Sequence, residues 1–274
     1  MELFINQIIC GDCVDNLKKI DDSSVDLVVT SPPYGKIRNY ESGYSFDFTS
    51  LSKELFRVVK DGAVVAWIRN DTVENGSKTG ETFKQTLGFM DVGFLLYDVM
   101  IWEKSGVSYP AKNRYTQIHE YIILLSKGKV TTLNFIEDVP KLWEGSWGKL
   151  RTRNQDGTLT DRNLENEGKA KSGRDDTGKY GYKKRTTIWK VNNGHGFNTK
   201  DKIARDHPAI FPESLCKDII ITWSDEGSLV LDPMCGSGTT CKMAKLLNRN
   251  YIGIDISDSY CEIAKQRIQI AENN

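Results

Sequence analysis

Two short stretches, far apart in the chain, carry residue types suited to group transfer. The first is TSPPYG at 30–35. An exocyclic amine on a heteroaromatic base is a poor nucleophile because its lone pair is delocalised into the ring. Activating it takes hydrogen-bond acceptors for both N–H groups. Ser31 and the Pro32 carbonyl can be those acceptors, and the Pro32–Pro33 pair fixes φ and removes two backbone donors, leaving rigid carbonyls toward the site. Tyr34 offers a flat face for an extruded base, a contact that contributes ~1–3 kcal/mol. The target base must leave the duplex first. Taken alone, Ser-Pro-Pro-Tyr is more often a polyproline turn or docking peptide; its place at the end of a buried strand is what favours the catalytic reading.

The second stretch, SLVLDPMCGSGTTCKMAKLL at 228–247, has the pattern of a buried strand, a Gly-rich turn and a helix. Such a turn places a ligand at the carboxyl end of a strand beside a helix amino terminus. Gly236 and Gly238 would let the backbone approach the ligand closely. No Gly-Lys-Ser/Thr follows, and Cys241 stands where G-x-G-x-x-G has its third glycine, so phosphate and dinucleotide ligands are disfavoured. Asp255, 17 residues after Gly238, ends the next strand where an acidic side chain would accept from ribose hydroxyls. A nucleoside without a pyrophosphate suits both features, and S-adenosylmethionine is such a ligand. A helix-capping glycine turn is the alternative reading.

The elements that must position these residues alternate along the chain. SVDLVVT (24–30) is a β-branched run stopped by Pro-Pro, so the first motif sits at a strand end. LSKELFRVVKDG has helical spacing and ends on Gly62; GAVVAWI, FLLYDVMIWE and EYIILLSKG read as strands, and ETFKQTLGFM as a helix. After residue 205 the rhythm resumes with FPESLCKDIIITW, SLVLD, TTCKMAKLLN, NYIGIDI and SDSYCEIAKQRIQIAEN. The pattern predicts an α/β fold with a doubly wound, mostly parallel sheet. Three segments are expected: 1–140 with TSPPYG, an insert at 141–205, and 206–274 with DPMCGSGTT.

The insert lacks periodicity and carries Trp143, Trp147, Tyr180, Tyr182 and Trp189 among polar residues, too long for a featureless loop. The chain has no net charge, but 141–205 holds 16 basic and 8 acidic residues, a surplus of +8 in an otherwise acidic body. That distribution fits a DNA-contacting insert on an acidic scaffold, with a solvated lysine-rich loop as the alternative. Six cysteines without a secretory signal read as reduced thiols. Cys10 and Cys13 form a lone C-x-x-C, His119, His195 and His207 form no metal-ligand spacing, and no metal is expected. No apolar run reaches the ~20 residues of a bilayer span, so no membrane partner is expected and the cytoplasm is the default compartment.

TSPPY ahead of the insert and DPMCGSGTT near the carboxyl terminus together resemble the amino-group DNA methyltransferases of the circularly permuted beta class, over about residues 8 to 270 apart from the insert. The resemblance implies an S-adenosylmethionine-dependent methyltransferase fold with an inserted DNA-recognition subdomain. It implies Ser31, Pro32, Pro33 and Tyr34 as catalytic residues, and Asp232, Pro233, Met234, Gly236, Gly238 and Thr239 as the cofactor loop. Asp255 would bind ribose, Gly11 and Asp12 would approach the adenine, and HPAIFP from His207, including Phe211, would close the methionine side. Met234 departs from the family's usual Phe and can still pack beside a sulfonium.

Serine at the first catalytic position resembles the cytosine-N4 enzymes more than the adenine-N6 ones. The implied setting is a prokaryotic or phage-encoded restriction-modification system: the substrate is double-stranded DNA, any cognate endonuclease forms no stable complex, and the enzyme is a monomer or homodimer. A cytosine-C5 enzyme would need a cysteine after proline, and none is present. A methyltransferase of RNA or of a protein amide, and a silent DNA-binding protein, are the remaining alternatives. The loop 35–47, with Arg38, Tyr40 and Tyr44, would be either mobile without DNA or a plain connector.

Overall fold

The computed structural model describes residues 4–33, 46–106, 113–141, 151–161, 181–194 and 196–272. The chain forms two compact units, Met1–Asn134 with Thr187–Asn274, and Phe135–Thr186. The larger unit begins with β1 (Gln7–Cys10), α1 (Cys13–Leu17), β2 (Val25–Thr30), α2 (Phe48–Val58) and β3 (Val59–Arg69). A small hairpin, β4 (Val73–Glu74) and β5 (Ser77–Lys78), leads to α3 (Glu81–Val92), β6 (Leu95–Lys104) and β7 (His119–Ser126). The smaller unit holds β8 (Glu137–Pro140), β9 (Arg151–Arg153), β10 (Leu159–Asp161) and β11 (Tyr182–Lys184). The larger unit then resumes with β12 (Ile188–Val191), α4 (Glu213–Trp223), β13 (Leu229–Asp232), α5 (Thr239–Leu246), β14 (Asn250–Asp255) and α6 (Asp258–Glu272).

One sheet runs through the larger unit in the order β1-β14-β13-β2-β3-β7-β6-β12. Its pairings are parallel except those of β7, which runs against β3 and β6. β2 and β13 are apolar on both sides and almost wholly buried, as strands covered by helices on two faces must be. On one face Val25, Val28, Val65 and Trp67 meet Leu17, Leu51, Leu55 and Phe89 of α1, α2 and α3. The neighbouring residues Leu27 and Val29 point the other way, toward the layer of α4, α5 and α6. Trp67 is the centre of an aromatic group with Phe46, Phe48 and Phe89, and its indole N–H donates to Gln85 Oε1 at 3.0 Å. Among the described residues no helix is long and apolar enough to cross a membrane, and all six cysteines are unbridged.

Two local expectations differ from what the chain does. The helix expected to end on Gly62 stops at Val58, and Val59 passes directly into β3. Val59 pairs with Val25 while Val64 pairs with Leu27, so the residues around Gly62 form a bulge rather than a helix end. The insert boundaries also differ from 141–205: the smaller unit is 135–186. Residues after it rejoin the main body because β12 pairs with β6, buries Trp189 in a stack on Trp223, and accepts the Trp102 indole N–H at the Val191 carbonyl. Tyr34, Arg38, Tyr40, Tyr44, Trp143, Trp147, Tyr180 and His195 lie outside the described residues; at the end of the 35–47 loop, Asp47 caps α2 by accepting from Ser50 N.

Candidate active site

The carboxyl ends of β2, β13 and β14 and the turn after β1 surround a cleft of about 670 Å³, its open mouth included. Its lining combines Ser31 and Pro33 from the first motif, Pro233, Met234 and Gly236 from the second, and Asp255. Gly11, Cys13, His207, Ala209, Ile256, Ser257 and Tyr260 complete it. Pro32 is buried behind Ser31.

Asp255 is the hub of the turn. Its Oδ2 accepts from Gly236 N at 2.8 Å and its Oδ1 from Ser257 N at 3.0 Å, while its carbonyl accepts from Gly11 N at 2.8 Å. Burial raises its carboxyl above the ordinary range, and those backbone donors oppose the shift. Gly236 has φ +49°, and a Cβ there would lie 2.6 Å from His207 Nε2. The His207 ring is fixed by an edge contact with Tyr260 at 4.4 Å and by Nδ1, which accepts from Ala209 N at 3.1 Å.

Other expected residues turn elsewhere. Asp12 is the N-cap of α1, its Oδ1 accepting from Asp15 N, so Gly11 and Cys13 rather than the Asp12 side chain face the cleft. Gly238 opens α5 with φ +76°, and a Cβ there would strike Ala264 of α6, so this glycine serves helix packing. Thr239 is buried and accepts from Arg267 Nη1; Phe211 is half-buried outside the lining. Asp232 is fully buried under the loop, accepting from Thr240 Oγ1 at 2.7 Å and Met234 N at 3.2 Å. Thr240 Oγ1 also lies 3.3 Å from the Val29 carbonyl, which ties the cofactor loop to the strand that carries Ser31.

Sequence reasoning missed the support beneath this loop. Arg267, fully buried on α6, donates to Ser237 O at 2.6 Å, Glu213 Oε1 at 2.7 Å and Asp201 Oδ2 at 2.9 Å. Lys242 reaches the same two carboxylates at 2.7 and 2.8 Å. Burial pushes the Asp201 carboxyl up, but the hydrogen bonds and charges of Lys242 and Arg267 more than reverse it. The signal was present in α6, where Tyr260, Ala264 and Arg267 share one helical face and put a charge on an otherwise apolar stripe.

The cleft fits a nucleoside joined to an amino acid. Gly236 leaves no side chain in the wall, Asp255 presents a fixed carboxylate, and Cys13, Ile256 and Tyr260 supply an apolar bed for a flat ring. Mostly parallel strands with one reversed near the edge, and a nucleoside-sized cleft at their carboxyl ends, define the fold of the S-adenosylmethionine-dependent methyltransferases. Residues 25–266 match the N6/N4 family model described as DNA methylase. The chain belongs to this DNA methylase family, with its motifs in the permuted beta order.

Among its relatives is the orphan methyltransferase M.BamHII of Bacillus amyloliquefaciens, 46% identical over 254 residues, covering 92% of this chain and 91% of that one. The type II methyltransferase M.SmaI of Serratia marcescens is 25% identical over 304 residues, covering 96% and 90%. Among solved structures, the PvuII DNA methyltransferase, titled cytosine-N4-specific, aligns with TM-score 0.69 at 17% identity, covering 97% and 90%. A DNA modification methylase of Thermus thermophilus, complexed with S-adenosyl-L-methionine, aligns with TM-score 0.61 at 22% identity, covering 97% and 93%.

Proposed function

We propose that this DNA methyltransferase takes its methyl group from S-adenosylmethionine and places it on the N4 amine of cytosine within a short sequence of double-stranded DNA. The observation that carries the reading is one cleft lined by both Ser31 and Asp255, which stand 224 positions apart in the chain. Asp255 would receive the ribose hydroxyls, Gly11, Cys13, Ile256 and Tyr260 the adenine side, and Gly236, Met234 and His207 the methionine side. When bound there, the cofactor supplies an electrophilic methyl on a sulfonium. Ser31 Oγ accepts one amine N–H and the Pro32 carbonyl the other, which localises the nitrogen lone pair. Tyr34 stacks on the extruded base.

Serine holds the amine without a carboxylate beside it, and this favours cytosine N4 over adenine N6. The unit 135–186 is read as the target-recognition segment, and the setting as the cytoplasm of a prokaryotic cell. Relatives described as type II methyltransferases support work within a restriction-modification system. The test is the product: DNA from cells expressing the protein is digested to nucleosides and weighed by mass spectrometry, with N4-methylcytosine expected. N6-methyladenine alone would move the acceptor and keep the amino-group chemistry, and 5-methylcytosine would overturn both. Ser31→Ala should bind cofactor and DNA nearly as the parent does while kcat falls, the pattern of a contact made mainly in the transition state.

A further inference from the structure

Beside the catalytic strand end lies a second polar assembly that contributes nothing to the cofactor cleft. β3 is the immediate neighbour of β2, with Thr30 paired to Trp67, and adjacent strands lie about 4.8 Å apart. Just past the end of β3, the β4–β5 hairpin projects with exposed residues from Val73 to Lys78.

Two cations meet on this hairpin. Arg114 Nη2 donates to the Gly76 carbonyl at 2.8 Å, and Lys78 Nζ donates to the Asp71 carbonyl at 3.0 Å and to Gln117 Oε1. Gln117 Nε2 donates to Asn70 Oδ1 at 2.7 Å, and Asn70 Nδ2 to the His119 carbonyl at 3.1 Å, so Lys78 is tied through neutral groups to β7 and to the residue after β3, while Arg114 is held by the hairpin turn. Among the described residues neither cation forms an ion pair. The carboxylate of Asp71, whose charge acts on Lys78, is committed through Oδ1 to Thr82 N at the start of α3. Burial lowers the Lys78 ammonium below its ordinary value, Asp71 opposing the shift and the like charge of Arg114 adding to it.

Two cations held on one hairpin by uncharged acceptors, each feeling the other's charge, form a receptor for an anion, and the anion that a DNA strand brings to this edge is phosphate. We propose that Lys78 and Arg114 grip a backbone phosphate of the DNA strand that carries the target base. The inference rests on the reading that the chain acts on a DNA base at Ser31. The guanidinium offers a planar fork and the ammonium a point charge, a pair suited to the separate oxygens of one phosphate. By contrast, the basic run in the smaller unit is partly occupied: Arg185 pairs with Asp138, and Lys184 lies 3.5 Å from the centre of the Phe135 ring.

The experiment measures binding of a mixed-sequence DNA duplex across a salt series for the parent, Lys78→Gln/Arg114→Gln, Arg114→Gln alone and Lys78→Arg, with S-adenosylmethionine titrated into each. The slope of log affinity against log salt should flatten by about 0.9 in the double variant, one phosphate contact's share. Lys78→Arg should keep the parent slope, and cofactor affinity should stay within about two-fold throughout. A double variant that binds cofactor normally and keeps the parent slope overturns the grip; if the double variant loses cofactor binding, an unchanged slope in Arg114→Gln overturns it instead. A parent that binds no duplex at low salt overturns the DNA reading itself, and the grip with it.

Discussion

Gly236 and Gly238 look interchangeable in the sequence, yet each is glycine because of a different neighbour. Both positions were legible as a tight turn, but the partners were not, since His207 and Ala264 lie 29 and 26 residues away and only the fold brings them in. Gly236→Val should therefore lower cofactor affinity at least about ten-fold by displacing His207 into the cleft. Gly238→Val should instead cost about 2–4 kcal/mol of stability through strain at positive φ and collision with the α6 backbone. Calorimetric titration and urea unfolding separate the two effects; a Gly238→Val protein of parental stability would contradict the packing role. Asp232 gives a pH test. Burial pushes its carboxyl up to about 6, with Thr240, Thr30 and Met234 N opposing and Asp255 adding. Between about pH 4 and 6 the folded chain keeps a proton that the unfolded chain has released, so this group's contribution to stability declines as pH rises through that window and is flat above it. Asp232→Asn should be more stable than the parent at pH 7–8, by at most about 3 kcal/mol at 1.36 per pH unit, and equal to it near pH 4. An advantage unchanged at pH 4 would refute this account.

At the scale of elements, the strands and helices that carry both motifs were legible because β-branched runs and helical spacing repeat strongly there. β12 was not, since four residues inside a polar stretch give no period to read. The α2–β3 junction misled for another reason: Gly62 looks like a helix stop, but pairing with β2 claims Val59 first. The buried cluster joining α4, α5, α6 and the Thr199–Asp201 turn was equally hidden, because its charges cancel only in three dimensions. Arg267→Met would leave the partly buried Asp201 and Glu213 with one cation between them, a loss of about 3 kcal/mol, the low end for a broken buried pair. Lys242→Met should cost less, since Arg267 still bridges both carboxylates and the loop carbonyl. Asp201 is held below its ordinary range, so the stability it contributes is present above about pH 4 and is lost as pH falls through its lowered value. Urea melts at pH 7 should separate parent from Arg267→Met, and the gap should narrow as pH falls below about 4 and Asp201 becomes protonated; a gap that stays constant with pH would argue against charge pairing as the cause.

For the whole molecule, the sequence predicted the layered α/β sheet but misplaced the insert, and with it part of the charge argument. The +8 surplus counted over 141–205 includes residues that belong to the main body, and the compact unit 135–186 carries 12 basic and 9 acidic residues. The cleft is built entirely from the larger unit. Replacing 136–185 by a flexible linker should therefore preserve S-adenosylmethionine affinity and abolish methylation of DNA. Loss of cofactor binding in a folded deletion protein would show that the division is wrong. The sheet order also sets a timetable. β1 pairs with β14, which begins 240 positions further along the chain, and Gly11 N closes on the Asp255 carbonyl. β2, β3, β6 and β7 are complete by Ser126, 129 residues ahead of Asp255. A ribosome extending the chain by about 5–20 residues per second thus exposes the Ser-Pro-Pro corner seconds before any donor site can exist. Through that interval β1 has no partner and β2 lacks β13, which leaves open strand edges that invite association between nascent chains.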